Sequence, residues 1–257
     1  MSILCYHSVE PDWPSPMAVE PKAFAAHCAW LSGHRRVVPL PDAVDRLDRS
    51  GRLPRGLTAL TFDDGFAALH EHALPLLARF RLPATVFLVA QTLAPGGRPV
   101  DWVDTPPPHP LRTLTSEQVL EMAAAGVDFQ SHSSAHLDLT TLSYDECVRD
   151  LRESRELLEE LLGHPVRQLA YPRGRHNSVV REAAERAGYT AAFALPERDE
   201  EAGRFAIPRV GVHRGNSAVL VRVKDARSYQ RLRTGPAYRV ARGALRGGRR
   251  TVARVAR

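Results

Sequence analysis

Two adjacent aspartates directly follow a short apolar run, and this arrangement constrains the fold more than any other feature of the chain. Residues 57–62 predict a buried strand, and Asp63 and Asp64 stand where that strand should end. Successive side chains of a strand point to opposite faces, but in the turn after a strand both can enter one cleft. Neighbouring carboxylates repel each other, so a bound cation is the usual reason to keep them together.

A second strand-like segment, residues 127–130, is followed by two histidines four positions apart, His132 and His136. One carboxylate and two imidazoles with open positions are typical of a hydrolytic zinc or similar divalent ion. Asp64, His132 and His136 are therefore the predicted metal ligands. Asp63 is left over as a general base, although a second ligand or a structural cap is an alternative role for it.

Strand-like apolar runs alternate with longer helical segments along the chain. Strands are expected near residues 3–6, 57–62, 84–89, 127–130, 168–171, 191–195 and 205–212. Repeated β–α units predict parallel strands with a site at their C-terminal ends, so the expected fold class is α/β. Residues 94–113 are rich in Pro and Gly and predict a long loop that carries Trp102, a candidate wall for a substrate.

Charge divides the chain into two parts. Residues 222–257 hold twelve of the 35 basic residues and one of the 29 acidic residues, which gives them about +11 and leaves about −5 on the rest. We predict a catalytic domain over residues 1–221 and an Arg-rich C-terminal tail over residues 222–257. Such a tail could bind an anionic membrane surface, with a solvated tail as the alternative, and no specific nucleic-acid partner is predicted.

The composition, 44% hydrophobic and 25% charged residues, is that of an ordinary soluble globular protein. Three scattered cysteines, Cys5, Cys28 and Cys147, fit reduced thiols better than a disulfide framework. The start of the chain shows no signal-peptide pattern, and no apolar run is long enough to span a bilayer. The expected location is the cytoplasm, with peripheral membrane contact through the tail.

These motifs together resemble a known family. Thr-Phe-Asp-Asp-Gly at residues 61–65 and Ser-His-Ser-Ser-Ala-His at residues 131–136 are similar to the first two signature motifs of the polysaccharide deacetylases with a NodB homology domain (carbohydrate esterase family 4). A Tyr-His opening strand, a Tyr-Pro-x-Gly loop and the closing strands agree in order over roughly residues 1–221. The resemblance implies a distorted (β/α) barrel of about seven strands, a divalent ion that is usually zinc, and an acetylated sugar or glycoconjugate as substrate.

The same resemblance implies a source for the donor to the tetrahedral oxyanion. The backbone N–H of Tyr171 would take that role, with Pro172 and Gly174 shaping the loop. The loop departs from the common Arg-x-Pro-Tyr-Gly form, because Ala170 stands at the position of the Arg and Arg173 at that of the Tyr.

Two assignments depend on residues outside the strongest motifs. Arg209, on a late strand, could supply the guanidinium that normally orients the base. The usual Leu-x-His motif, which carries the general acid, is absent from its expected place. His7, which one branch of the family places in the cleft, is the favoured acid, and His213 is its rival.

The leading functional hypothesis is a metal-dependent hydrolase that removes N-acetyl groups, or less often O-acetyl groups, from a glycan or glycoconjugate. The first alternative is the same fold acting on a non-sugar amide, such as a ureide or an imide. A non-catalytic carbohydrate-binding module is the second, and the intact Asp63, Asp64, His132 and His136 disfavour it.

Overall fold

The computed structural model describes residues 2–50, 56–107, 109–195, 203–226 and 229 of the 257-residue chain. Strands and helices alternate over most of this length. The strands are β1 Ser2–Tyr6, β2 Ser8–Val9, β3 Ala18–Val19, β4 Arg36–Val37, β5 Leu57–Phe62, β6 Ala84–Leu88, β7 Asp128–Ser131, β8 Gln168–Ala170, β9 Ala191–Ala194, β10 Ile207–Pro208 and β11 Val210–Gly211. The α-helices are α1 Pro21–His34, α2 Leu40–Ser50, α3 Leu74–Phe80, α4 Ser116–Ala124, α5 Tyr144–Leu162, α6 Ser178–Arg186 and α7 Ala218–Asp225.

The main sheet is a nearly closed barrel of parallel strands. Its hydrogen-bonded order is β10, β9, β8, β7, β6, β5, β1 and β11, with the short β4 added to β5. β10 and β11 are two halves of one segment interrupted at Arg209. The first half pairs with β9, through Ile207 and Phe193, and the second half pairs with β1, through Val210 and Leu4. This segment therefore closes the barrel, and the predicted (β/α) barrel of about seven strands is confirmed.

Side chains on the barrel strands fall into two sets, as the two-residue period of a strand requires. Leu4 and Leu60 belong to the large cluster that the strands form with the surrounding helices. Their neighbours Ile3 and Ala59 join Phe87 in a second buried cluster, which we assign to the barrel interior. The strands are thus apolar on both faces, and this explains the continuous apolar runs in the sequence.

Helix starts follow local sequence signals, with one difference. Capping boxes formed by Thr115 with Gln118 and by Ser143 with Glu146 begin α4 and α5, as their sequence patterns predict. Residues Leu69–Ala73 form a π-helical turn, and α3 begins only at Leu74. Pro75 has no N–H to donate to the preceding turn, which favours a local change of helical register there.

The predicted boundary at residues 221/222 is wrong, because α7 runs through it to Asp225. Lys224 is buried and its Nζ donates to the carbonyl of Gly211 at 2.7 Å. Asp225 is also buried, where it accepts from Thr58 Oγ1 at 2.7 Å and pairs with Arg35. The last charged turn of this helix is therefore part of the barrel domain.

After Ala226, the predicted tail lies outside the described residues, apart from Tyr229. Its attraction to an anionic membrane surface stays a prediction. Within the described parts of the chain, none of the helices has both the length and the apolar character needed to cross a bilayer.

Candidate active site

The polar residues predicted from the motifs gather at the C-terminal ends of the barrel strands. They are His7 after β1, Asp63 and Asp64 after β5, His132 and His136 after β7, Tyr171 after β8, Arg209 between β10 and β11, and His213 after β11. Because parallel strands present their C-terminal ends at one face of a barrel, residues far apart in sequence meet there.

Asp64, His132 and His136 come together as a set able to hold a cation. Asp64 Oδ1 lies 3.3 Å from His136 Nε2 and 3.6 Å from His132 Nε2. Ligand atoms bound tetrahedrally at about 2 Å from one ion are about 3.3 Å apart, so these separations fit a zinc-type site. Asp64 Oδ2 is buried and has no hydrogen-bond partner among the described residues. The donor set therefore fits a divalent metal ion.

The backbone around this set adopts conformations that ordinary residues avoid. Of the five non-glycine residues with positive φ in the described chain, four lie at the site: Asp64 at 70°, Ser133 at 71°, His136 at 53° and Arg173 at 57°. Each such conformation costs on the order of 1–3 kcal/mol and persists only where surrounding contacts enforce it. The turn at Asp64 lets two consecutive carboxylates enter the cleft and diverge within it.

Asp150 of α5 supports the loop between the two histidines, and the motifs did not identify it. Its Oδ1 accepts the backbone N–H of Ser134 at 3.0 Å. Burial raises the pKa of Asp150 to about 6, although the N–H groups of Ser134 and Ala135 partly offset this. No local sequence signal pointed to Asp150, because it lies within an amphipathic helix and its partner is 16 residues away.

Asp63 forms a buried ion pair with Arg209. Arg209 Nη1 lies 2.6 Å from Asp63 Oδ1, and Arg209 Nη2 lies 2.7 Å from Asp63 Oδ2. Both side chains are almost completely buried. The guanidinium of Arg209 thus lies beside the predicted base and fixes the orientation of its carboxylate.

The two adjacent aspartates have opposite electrostatic environments. Burial raises the pKa of Asp63, but the charge of Arg209 outweighs this and holds the net pKa well below its usual range. Burial, together with the negative charge of Asp63, raises the pKa of Asp64 to about 8. Asp63 is therefore a carboxylate at neutral pH, while Asp64 gains from a nearby cation.

His7 lies inside the site and His213 lies at its rim. Ligand atoms of His7, Cys5 and Asp63 fall within 4.8 Å of one another. Burial lowers the pKa of His7 to about 4, even though the charge of Asp63 opposes this. His213 is exposed, and its ring covers Gly211, where an added Cβ would lie 2.9 Å from Nε2. The structure thus brings both candidate acids to one side of the site, with His7 next to the base.

The predicted oxyanion donor is contradicted. The backbone N–H of Tyr171 donates to the carbonyl of Phe193 at 3.0 Å, because the pairing of β8 with β9 continues past Ala170. The Tyr171 ring is fully buried and its hydroxyl donates to the Phe205 carbonyl at 3.0 Å. Tyr171 is therefore a structural residue of the barrel wall.

The rest of the Tyr-Pro-Arg-Gly loop is tightly constrained. Pro172 and Gly174 are buried, and Gly174 has a φ of 68°. A Cβ at Gly174 would lie 2.6 Å from the backbone nitrogen of Leu195, so a larger residue cannot fit there without displacing β9. Arg173 reaches over the site, where its Nη2 donates to the carbonyl of Trp102 at 3.1 Å.

Trp102 contacts the metal ligands directly, and the motifs did not identify it as a site residue. Its Nε1–H donates to Asp64 Oδ1 at 3.1 Å, and its ring stacks on His136 with centroids 4.8 Å apart. The loop therefore reaches the site at Trp102, and its role as a wall for a substrate stays a prediction. The only sequence signal was an isolated aromatic residue in a loop rich in Pro and Gly.

Comparisons with known proteins agree with this geometry. A family model described as polysaccharide deacetylase matches residues 50–192. The chain is 29% identical over 223 residues to the putative polysaccharide deacetylase YxkH of Bacillus subtilis, covering 84% of this chain and 73% of that protein. It is 25% identical over 223 residues to the poly-beta-1,6-N-acetyl-D-glucosamine N-deacetylase of Staphylococcus epidermidis, covering 81% of this chain and 72% of that protein.

Solved structures show the same fold. The Streptococcus pyogenes deacetylase PplD, determined in complex with acetate, superposes with a TM-score of 0.74 at 23% identity, covering 88% of this chain and 98% of that one. The family match extends over more than half of the chain and includes both aspartates and both histidines of the site. The chain therefore belongs to the polysaccharide deacetylase family, whose members are hydrolases acting on carbon–nitrogen bonds.

Proposed function

We propose that this chain removes N-acetyl groups from an acetylated sugar polymer or glycoconjugate, with a divalent metal ion held by Asp64, His132 and His136. One observation carries the proposal: of two adjacent carboxylates, Asp64 lies beside two imidazoles and Asp63 lies beside a guanidinium. Polymers of N-acetylglucosamine are the favoured substrate class, since a relative is named as a deacetylase of such a polymer. Zinc suits the donor set best, and other first-row ions also suit it.

The ion would polarise the amide carbonyl and lower the pKa of a water molecule, which makes hydrolysis feasible at neutral pH. Asp63 then accepts the proton of the attacking water. Arg209 keeps the Asp63 carboxylate charged and holds it in one orientation through two hydrogen bonds. A base with such a low pKa is weak, so it depends on a water that has already been made more acidic.

His7 is the proposed donor to the departing amine. A proton accepted by Asp63 can pass to His7, which lies beside it. Their ligand atoms lie within 4.8 Å of each other. His7 Nδ1 is buried and has no partner among the described residues, which leaves it available for such a transfer. The amine, which is more basic than either group, would take the proton last.

The test is acetate release from a substrate panel. Oligomers of β-1,6-linked and β-1,4-linked N-acetylglucosamine represent the proposed class, and allantoin-type ureides represent the non-sugar amides. The zinc-loaded wild-type protein should release acetate from the sugars, while the His136→Ala variant serves as the blank. Turnover of ureides without acetate release would favour the amidohydrolase alternative. Binding of the sugars without any turnover would favour the non-catalytic module.

A further inference from the structure

The two imidazoles of the ligand set are held in place by different means. His132 Nδ1 lies 2.8 Å from the carbonyl of Ala170, and this hydrogen bond directs Nε2 towards Asp64. Metal-binding histidines usually have such a partner on the second nitrogen, because it fixes both the tautomer and the ring orientation. His136 Nδ1 is buried and has no hydrogen-bond partner among the described residues. Something else must therefore orient the His136 ring.

Trp102 is in the position to do so. Its ring lies over the His136 imidazole with an interplanar angle of 22° and a centroid distance of 4.8 Å. The same indole donates its N–H to Asp64 Oδ1, the oxygen that faces both histidines. A carboxylate oxygen can accept from two directions, so this bond orients Asp64 and leaves a direction towards the ion. One side chain thus contacts two of the three ligands.

Two hydrogen bonds from other parts of the chain hold the Trp102 loop in place. Arg173 Nη2 donates to the carbonyl of Trp102 itself at 3.1 Å. Three residues further on, the carbonyl of Thr105 accepts the indole N–H of Trp13 at 2.6 Å. Trp102 is 7% exposed, although the residues on either side of it, 98–103, form neither helix nor strand. The loop is therefore held by two separate contacts, one at Trp102 and one three residues beyond it.

We infer that Trp102 is a positioning residue of the metal centre, which holds Asp64 through its N–H and His136 through its ring, and that Arg173 fixes Trp102 in this place. The inference rests on the proposed metal-dependent function. It gives Arg173, which stands where the family loop commonly has a tyrosine, a role in metal affinity.

Zinc affinity, measured by competition with a chromophoric chelator, tests the inference without relying on activity. Trp102→Phe keeps a ring over His136 but removes the N–H, and it should weaken zinc binding about 10- to 100-fold, as loss of an outer partner typically does. Trp102→Leu removes both contacts and should weaken it further. Trp30→Phe is the matched control, because Trp30 also stacks on a histidine, the exposed His34. The zinc affinity of this control variant should equal that of the wild type.

Two further measurements separate positioning from simple loss of folding. The visible spectrum of the Co²⁺-loaded Trp102→Phe protein should differ from that of the wild type, since the Asp64 carboxylate changes its orientation. Arg173→Met leaves both Trp102 contacts chemically possible and should weaken zinc binding less than Trp102→Phe does. If Trp102→Phe fails to fold, the zinc affinity of Arg173→Met tests the inference in its place.

Wild-type zinc affinity and an unchanged Co²⁺ spectrum in Trp102→Phe would overturn the inference and leave the proposed function intact. Wild-type affinity in Arg173→Met would overturn it when Trp102→Phe does not fold. Absence of stoichiometric zinc binding by the wild-type protein would instead contradict the proposed function, and the inference with it.

Discussion

Asp63 and Asp64 are neighbours in sequence, yet they belong to two regions of the site that differ in construction. The base region surrounds Asp63 with Arg209, which lies between two strand segments, and with Cys5 of β1. The metal region surrounds Asp64 with residues of loops, and several of these loop residues have positive φ. The comparison teaches that a single turn at the end of a strand can direct two identical side chains to different tasks.

The two regions also differ in how charge is balanced. The base region contains its own cation, since the Arg209 guanidinium neutralises Asp63. Among the described residues, the printed partners of Asp64 are Trp102, His132 and His136, and burial with the charge of Asp63 raises its pKa, so a bound ion or a proton would stabilise this region. The base region should therefore keep its structure without metal, while the metal region should depend on it.

The largest expected effect is on the metal region. His132→Ala and His136→Ala should each remove stoichiometric metal and reduce acetate release to background, because three protein ligands are the minimum of a catalytic zinc site. Elemental analysis and the acetate assay on the same samples measure both effects. His34→Ala, at the exposed end of α1, is the control. Full metal occupancy in either ligand variant would remove the assignment.

The next effect distinguishes the two candidate acids. His7→Ala should lower kcat about 10²–10⁴-fold, the usual contribution of a general acid, and should leave the metal content unchanged. His213 is exposed at the rim, so His213→Ala should lower kcat by less than about tenfold. Steady-state kinetics on an acetylated sugar oligomer measure both variants. The reverse order would transfer the role to His213.

A third prediction concerns how much the base region contributes to the free energy of unfolding. Arg209→Met leaves the Asp63 carboxylate buried without its partner, which should lower the free energy of unfolding by about 3–5 kcal/mol. Adding Asp63→Asn to this variant removes the unpaired charge and should recover part of the loss. Urea denaturation of the metal-free proteins gives the values. A loss of less than about 1 kcal/mol, as for exposed pairs, would show that the pair is solvated.

The smallest effect is a pH dependence from Asp150, which supports the histidine loop. The pKa of Asp150 is about 6 in the folded protein, against an ordinary value of about 3.9. Between these values the folded state holds the proton more tightly, so this group lowers the free energy of unfolding as pH rises from about 4 to about 6. The whole shift corresponds to about 3 kcal/mol, of which about 2 kcal/mol falls between pH 4 and pH 6.

Asp150→Asn cannot ionise and should lack this contribution. Its free energy of unfolding, relative to the wild type, should therefore increase between pH 4 and pH 7, measured by urea denaturation at both values. A difference that stays constant with pH would show that the Asp150 pKa is ordinary.

The sequence predicted the features that depend on local patterns. Apolar runs located the barrel strands, and the polar residues after them located the cluster of Asp64, His132 and His136 and the neighbouring Asp63, whose roles stay predictions. The capping boxes of α4 and α5 were visible because both partners are three residues apart. Parallel topology then placed all strand ends at one face without any knowledge of side-chain contacts.

The features that were missed depend on contacts between distant segments. Trp102 and Asp64 are 38 residues apart, and no periodicity links them. The hydrogen bond from the Tyr171 N–H to the Phe193 carbonyl depends on how far the pairing of β8 with β9 extends. Composition does not determine that length. The boundary at residue 221 was misplaced because charge was read as a sign of a tail, whereas Lys224 and Asp225 are buried with partners.

The division of labour between the two aspartates is tested most directly by comparing Asp63→Asn with Asp64→Asn for metal content and acetate release. Asp63→Asn should retain about one ion per chain and lose about 10²–10⁴ in kcat, because only the base is removed. Asp64→Asn should lose both the ion and the activity. Loss of metal from both variants, or near wild-type turnover by Asp63→Asn, would contradict the account.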